Sequence, residues 1–315
     1  MVELSAKLGD IITMSAPVMN ASGVAGFSTE VSGYYDQKKL GAFVTKSLAH
    51  FATLGNPAPR VVGVGSAMLN SVGLTGPGIQ SWLATHAVSL AKLDIPTFVS
   101  IWGRTVQDYA RAIDELSSVG DFVKAIEINV SCPNVEDAMA MFGHSVASVV
   151  EILQATSNSK WPRFVKLSPN THLLSEIISA CEANGAAGVV LINTVFGLGL
   201  NRRLLLANLG ARGGGLSGPA IHQMAIRAIY DAYSAFPNFP IIGVGGISTA
   251  FDAIEAFAAG ASAIQVGTAS FVDPSAPMRI LTDLPKAMKS LGFERISDLV
   301  GAAHRGGIAA TDPLH

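Results

Sequence analysis

Eight short runs of apolar and β-branched residues recur along the chain, spaced by intervals long enough for helices, and this alternation constrains the fold more than any other feature. The runs occupy residues 16–22, 42–47, 97–102, 125–131, 164–169, 188–194, 241–247 and 263–269. Intervals 106–116, 146–154, 174–184, 220–233 and 249–259 repeat apolar residues with helical spacing, and Asn184-Gly185 and Ala259-Gly260 supply stops of the kind that follow helices. Strands that are apolar throughout are buried on both faces, as in a parallel sheet covered by helices. Eight such units in 315 residues predict an α/β fold, a (β/α)8 TIM barrel made by one domain over residues 1–315, with a doubly wound open sheet as the alternative. Residues 51–78 are rich in Gly and Pro and too long for a plain connection, so we expect an inserted loop or hairpin over the C-terminal mouth of the barrel.

Composition narrows the function. Charged residues make up 14% of the chain and hydrophobic ones 49%, which favours a large core and a subunit interface. A net charge of −2 with no cluster of Lys and Arg gives no footprint for nucleic acid. No segment has the length and apolarity of a membrane span or the pattern of a signal peptide, so a cytoplasmic protein is expected. The two cysteines, Cys132 and Cys181, are too few for a disulfide framework or a four-cysteine iron–sulfur cluster. Seven scattered histidines show no metal-ligand spacing, and no metal is expected.

In a barrel of this kind the active site lies at the C-terminal ends of the strands. Those ends here carry Asn20 and Ser22, Lys46, Ser100, Asn129 with Cys132, Lys166, Asn193 with Thr194, Gly245-Gly246 and Gly267-Thr268. The segment Glu-Ile-Asn-Val-Ser-Cys-Pro-Asn, residues 127–134, runs a strand into a thiol flanked by Asn129 and Asn134. Free cysteine is often a buried small hydrophobe, but hydrogen-bonding neighbours are costly to bury unpaired and favour a site. Glycine-bearing segments at Gly213–Pro219, Gly245-Gly246 and Gly267-Thr268 bring backbone N–H groups within reach of an anion, the first opening a helix near Pro219. The alternative for these glycines is tight turns alone. Lys46 and Lys166 follow apolar strand residues and should face the barrel mouth, either to stabilise negative charge or, in another reaction class, to form a Schiff base as in an aldolase.

Taken in order, Gly55-Asn56-Pro57-Ala58-Pro59-Arg60, Asn70-Ser71-Val72-Gly73-Leu74, Asn129-Val130-Ser131-Cys132-Pro133-Asn134, Val165-Lys166-Leu167-Ser168-Pro169-Asn170 and Gly215-Leu216-Ser217-Gly218-Pro219-Ala220 resemble dihydroorotate dehydrogenase of class 1 across nearly the whole chain. The resemblance implies an FMN enzyme that oxidises (S)-dihydroorotate to orotate in pyrimidine (UMP) biosynthesis. It makes Cys132 the general base at C5, where class 2 relatives use serine, with hydride passing from C6 to flavin N5. It assigns the substrate to Lys46, Asn70, Gly73, Leu74, Asn129, Asn134, Asn193 and Thr194. It assigns the flavin ring to Ala21, Ser22, Lys46, Ser100, Asn129, Lys166 and Ile192, and the ribityl phosphate to Ser217, Gly218, Gly245, Gly246, Gly267 and Thr268.

Within class 1, Ile192-Asn193-Thr194 and residues 214–219 are more like the B subtype, a homodimer of catalytic chains within a heterotetramer whose FAD and iron–sulfur subunit passes electrons to NAD. Ser100 in Val99-Ser100-Ile101-Trp102-Gly103 is closer to the A subtype, a homodimer that uses fumarate. The pyrimidine-reducing domain of dihydropyrimidine dehydrogenase is similar in the same segments, but Lys46 and Asn134 fit a substrate with a carboxylate.

Overall fold

A computed structural model describes residues 2–93, 95–131, 141–211 and 213–308. Its centre is a sheet of eight parallel strands: β1 Val18–Asn20, β2 Phe43–Val44, β3 Thr97–Ile101, β4 Val123–Asn129, β5 Arg163–Leu167, β6 Gly188–Leu191, β7 Ile241–Val244 and β8 Ala263–Val266. They neighbour one another in the order β1-β8-β7-β6-β5-β4-β3-β2. A parallel bridge between Met19 and Ala42 joins β1 to β2 and closes the ring. At this seam the ladder is short, and the Asn20 amide completes it, donating to Val44 O at 2.7 Å and accepting from Val44 N at 3.1 Å. Each of the eight expected strands is present, and the (β/α)8 barrel, not the open sheet, is the arrangement.

Alternation within the strands divides two cores. Val18, Phe43, Val99, Ile101, Ile126, Ile128, Val165, Leu167, Val189, Leu191, Ile241, Ile264 and Val266 face outward and pack under the helices. Met19, Val44, Phe98, Ala125, Phe164, Val190, Ile242 and Val244 face inward, with the Phe98 and Phe164 rings stacked 5.6 Å apart. The helices form where their sequences dictate. In Val106–Leu116 a Thr105–Asp108 capping box satisfies the first free N–H groups, and Tyr109, Ala112, Ile113 and Leu116 make one buried face. Ala250–Ala259 repeats the device with Thr249 and Asp252 and stops at Gly260.

Three features depart from a plain eightfold repeat. The first crossover holds a 3-10 turn, Gln37–Lys39, where later units hold α-helices. An antiparallel hairpin, Ala6–Leu8 with Ile12–Met14, precedes β1 and packs Leu8 and Met14 among the inward residues, plugging the N-terminal end. The expected insertion includes a hairpin, Val61–Val64 with Ala67–Asn70, which belongs to a four-stranded antiparallel sheet completed by Gly214–Ser217 and Val195–Gly197. Residues 214–217 were expected only to lead into a helix. They form a cap strand because glycine lets it lie close to the mouth: a Cβ on Gly215 would stand 2.0 Å from Thr194 Oγ1. No helix among the described residues is long and apolar enough to cross a membrane.

Candidate active site

Between the strand ends and the cap sheet lies a cleft of about 640 Å³, a size suited to a cofactor and small substrate. Its lower wall comes from the barrel: Ala21 and Ser22 after β1, Lys46 and Ser47 after β2, Asn129 on β4, Lys166 on β5, Ile192, Asn193 and Thr194 after β6, Gly245-Gly246 after β7 and Gly267-Thr268 after β8. Its roof comes from the cap, with Met68, Asn70, Gly73, Leu74, Ser217 and Gly218. The sequence residues named for substrate and flavin thus converge on one space, with three exceptions. Cys132 and Asn134 lie outside the described residues. Ser100 does not reach the cleft: it is fully buried, and Ser47 sits between it and the opening with the two hydroxyl oxygens 2.9 Å apart.

The amides are held in fixed directions. Asn193 donates to Asn129 Oδ1 at 3.3 Å, and Thr194 N donates to Asn193 Oδ1 at 2.8 Å. Asn70 donates to Gly215 O across the cap at 3.3 Å. Asn170 pins the wall, donating to Thr194 O at 2.9 Å and accepting from Phe196 N at 2.9 Å. The cap's entrance loop is braced by Arg60, whose guanidinium donates to the carbonyls of Asn56 and Leu54. Leu74 adopts a left-handed φ of 55°, a costly conformation for a non-glycine residue that points to a loop shaped for contact.

Two lysines and one carboxylate set the electrostatics. Burial, reinforced by the charge of Arg60, lowers the pKa of Lys46 below the ordinary lysine value. Lys166 is buried, its Nζ 3.9 Å from Oε1 of Glu127. Glu127 is fully buried in the barrel, accepting from Ser100 Oγ at 3.1 Å and from Gln265 Nε2 at 2.7 Å. Neither Glu127 nor Gln265 was singled out from the sequence. The available signal was a glutamate inside an otherwise apolar strand, a group almost never buried unless paired.

At the far side, Gly245-Gly246 makes a tight turn whose Gly246 has φ 68°. A Cβ there would lie 2.7 Å from His222 Cβ and 2.9 Å from Gly218 O, so only glycine keeps the backbone this close. His222 braces the turn from behind, its Nδ1 2.9 Å from Gly245 O and its Nε2 2.9 Å from Glu255. The turn, Gly218 and Gly267-Thr268 make a small-residue pocket at one end of the cleft, while lysine and amide groups occupy the other.

A family model described as dihydroorotate dehydrogenase matches residues 8–288. The chain is 42% identical to a dihydroorotate dehydrogenase B (NAD(+)), catalytic subunit, of Halalkalibacterium halodurans, covering 93% of this chain and 95% of that one. It is 39% identical to the protein of the same name in Geobacillus sp. (strain WCH70), covering 94% of each. It is 41% identical to an Aquifex aeolicus protein provisionally named dihydroorotate dehydrogenase A (fumarate), covering 96% and 99%. The chain is therefore an oxidoreductase that belongs to the dihydroorotate dehydrogenase family.

Proposed function

We propose that the cleft binds FMN and (S)-dihydroorotate side by side and oxidises the substrate to orotate in pyrimidine biosynthesis. The observation that carries this reading is the joint delivery of Lys46, Lys166, three amides and the Gly245-Gly246 turn to one cleft by strands far apart in sequence. The residues fit the cofactor. The small-residue pocket of Gly218, Gly245, Gly246, Gly267 and Thr268, beside Ser217, admits a phosphate against backbone donors. Ala21, Ser22, Ile192 and Lys166 form the wall for the ring, with the Lys166 ammonium placed to face developing negative charge. When bound, the flavin supplies the acceptor for the C6 hydride.

The remaining work belongs to the chain. Asn70, Asn129 and Asn193 each offer a donor and an acceptor, matching a ring that alternates C=O and N–H; Thr194 and the backbone of Gly73 and Leu74 lie beside them. Asn134 completes the set in this reading. Lys46 holds the carboxylate, and Cys132 takes the C5 proton on Sγ. Lys166, already committed to Glu127, is poorly placed to act as the free amine of a Schiff-base aldolase.

We read the chain as the catalytic subunit of a B-type enzyme, a homodimer working with an FAD and iron–sulfur subunit. The names of the Halalkalibacterium and Geobacillus relatives support this, as do two cysteines, too few for a four-cysteine cluster of its own.

Lys46 provides the test. Its carboxylate attraction requires the protonated form, and its pKa is lowered, so KM for dihydroorotate should rise with pH at values below the ordinary lysine range. Lys46→Gln should have a high KM with that alkaline limb missing. Dihydrouracil, which lacks the carboxylate, should be turned over poorly by both. Efficient dihydrouracil turnover, or an unchanged KM profile in Lys46→Gln, would sink the assignment.

A further inference from the structure

A line of hydroxyl groups runs from the cleft to the buried Glu127. Ser22 Oγ is 2.9 Å from Thr45 O and 3.2 Å from Ser47 Oγ. Ser47 Oγ is 2.9 Å from Ser100 Oγ, and Ser100 Oγ is 3.1 Å from Glu127 Oε1. Ser22 and Ser47 line the cleft, whereas Ser100 and Glu127 are fully buried.

Four contacts need four protons, but with Glu127 ionised the three hydroxyls supply three. The Thr45 carbonyl and the carboxylate only accept, so Ser22 and Ser100 are spent on them. Ser47 then bonds one serine and faces the other with no proton between. One added proton on Glu127 Oε1 satisfies every link in a single direction, from Glu127 to Ser100, Ser47, Ser22 and Thr45 O. Asn129 Nδ2, 3.4 Å from Ser47 Oγ, fills one acceptor site of that oxygen and leaves the other to accept from Ser100.

We propose that Glu127 is a proton acceptor coupled to flavin reduction, loaded from the cleft through Ser22, Ser47 and Ser100. This rests on the flavin reading above. Two-electron reduction of the cofactor places negative charge beside Lys166, which is paired with Glu127, and a nearby like charge favours a proton on a carboxylate. The proton comes from solvent at the cleft, and the hydroxide equivalent left there is neutralised by the medium, which is the proton uptake the test reads. Each serine oxygen gains one O–H bond and gives up its own, and a new O–H forms on Glu127 Oε1. No electrons move along the line, and reoxidation reverses it. Among the described residues, Lys166 is the charged group facing Glu127; Ser100 and Gln265, its other side-chain partners, are neutral.

The test is proton uptake during anaerobic reduction of the flavin-loaded enzyme by dithionite in weakly buffered indicator dye. Glu127→Gln should take up fewer protons per flavin than wild type, by as much as one. A carboxylic acid C=O band should appear in the reduced-minus-oxidised infrared spectrum of wild type and be missing from the variant. Ser100→Ala keeps the carboxylate and breaks the line, so it should show normal uptake that lags reduction; this variant decides the matter if Glu127→Gln does not fold. Equal uptake in Glu127→Gln, or uptake in step with reduction in Ser100→Ala, overturns the relay alone. A wild-type protein that binds no flavin overturns the flavin reading and the relay with it.

Discussion

Cys132→Ala is expected to slow reduction of the bound flavin by dihydroorotate ~10²–10⁴-fold, the usual contribution of a general base, while leaving the flavin's absorption spectrum nearly unchanged. β4 supplies the reason: it ends at Asn129 in the cleft wall, and Ser131, which also lines the cleft, immediately precedes Cys132 in the sequence. A thiol acts as a base only when deprotonated, so wild-type reduction should accelerate as pH rises toward the usual thiol value of ~8.5. The alanine variant should lose that dependence. Rapid-mixing absorbance under anaerobic conditions measures both, and unimpaired reduction of Cys132→Ala would remove the thiol from the mechanism.

Lys166→Met should be damaging twice. It strips the cation from the flavin wall, so reduction should slow markedly. It also leaves the carboxylate of Glu127 buried without its ion-pair partner, a loss of the kind that costs about 3–5 kcal/mol. Adding Glu127→Gln to Lys166→Met should recover much of the stability without restoring the rate. Denaturant titration and flavin reduction kinetics separate the two effects, and a double variant no more stable than Lys166→Met would show that the pair is not what binds them.

The barrel was legible because parallel strands buried on both faces leave continuous apolar runs, and helices between them keep their own period. The expected strands ran past the observed ladders: the fifth was read to Pro169 and its ladder stops at Leu167. Apolar pattern persists where the backbone has already left the sheet, and the overhangs after the sixth, seventh and eighth strands, Ile192-Asn193-Thr194, Gly245-Gly246 and Gly267-Thr268, line the cleft. The cap was only half legible. Its Gly215–Asn70 pairing joins residues 145 apart, and no local pattern encodes such a register. The hairpin Ala6–Leu8 with Ile12–Met14 has strands of three residues, too short for a periodic signal. Ser100 shows the same limit in the site: its strand position was right, but only barrel closure reveals that Ser47 covers it. Glu127 and Gln265 lie 138 residues apart and meet across the barrel interior from β4 and β8, strands that are not neighbours in the sheet.

The most direct measurement is anaerobic addition of dihydroorotate to the purified protein while its visible absorbance is followed. The protein should be yellow, carrying FMN that dihydroorotate bleaches and dihydrouracil does not, with orotate formed in proportion to flavin. A colourless protein that binds no flavin, or a flavin bleached by dihydrouracil and not by dihydroorotate, would contradict it.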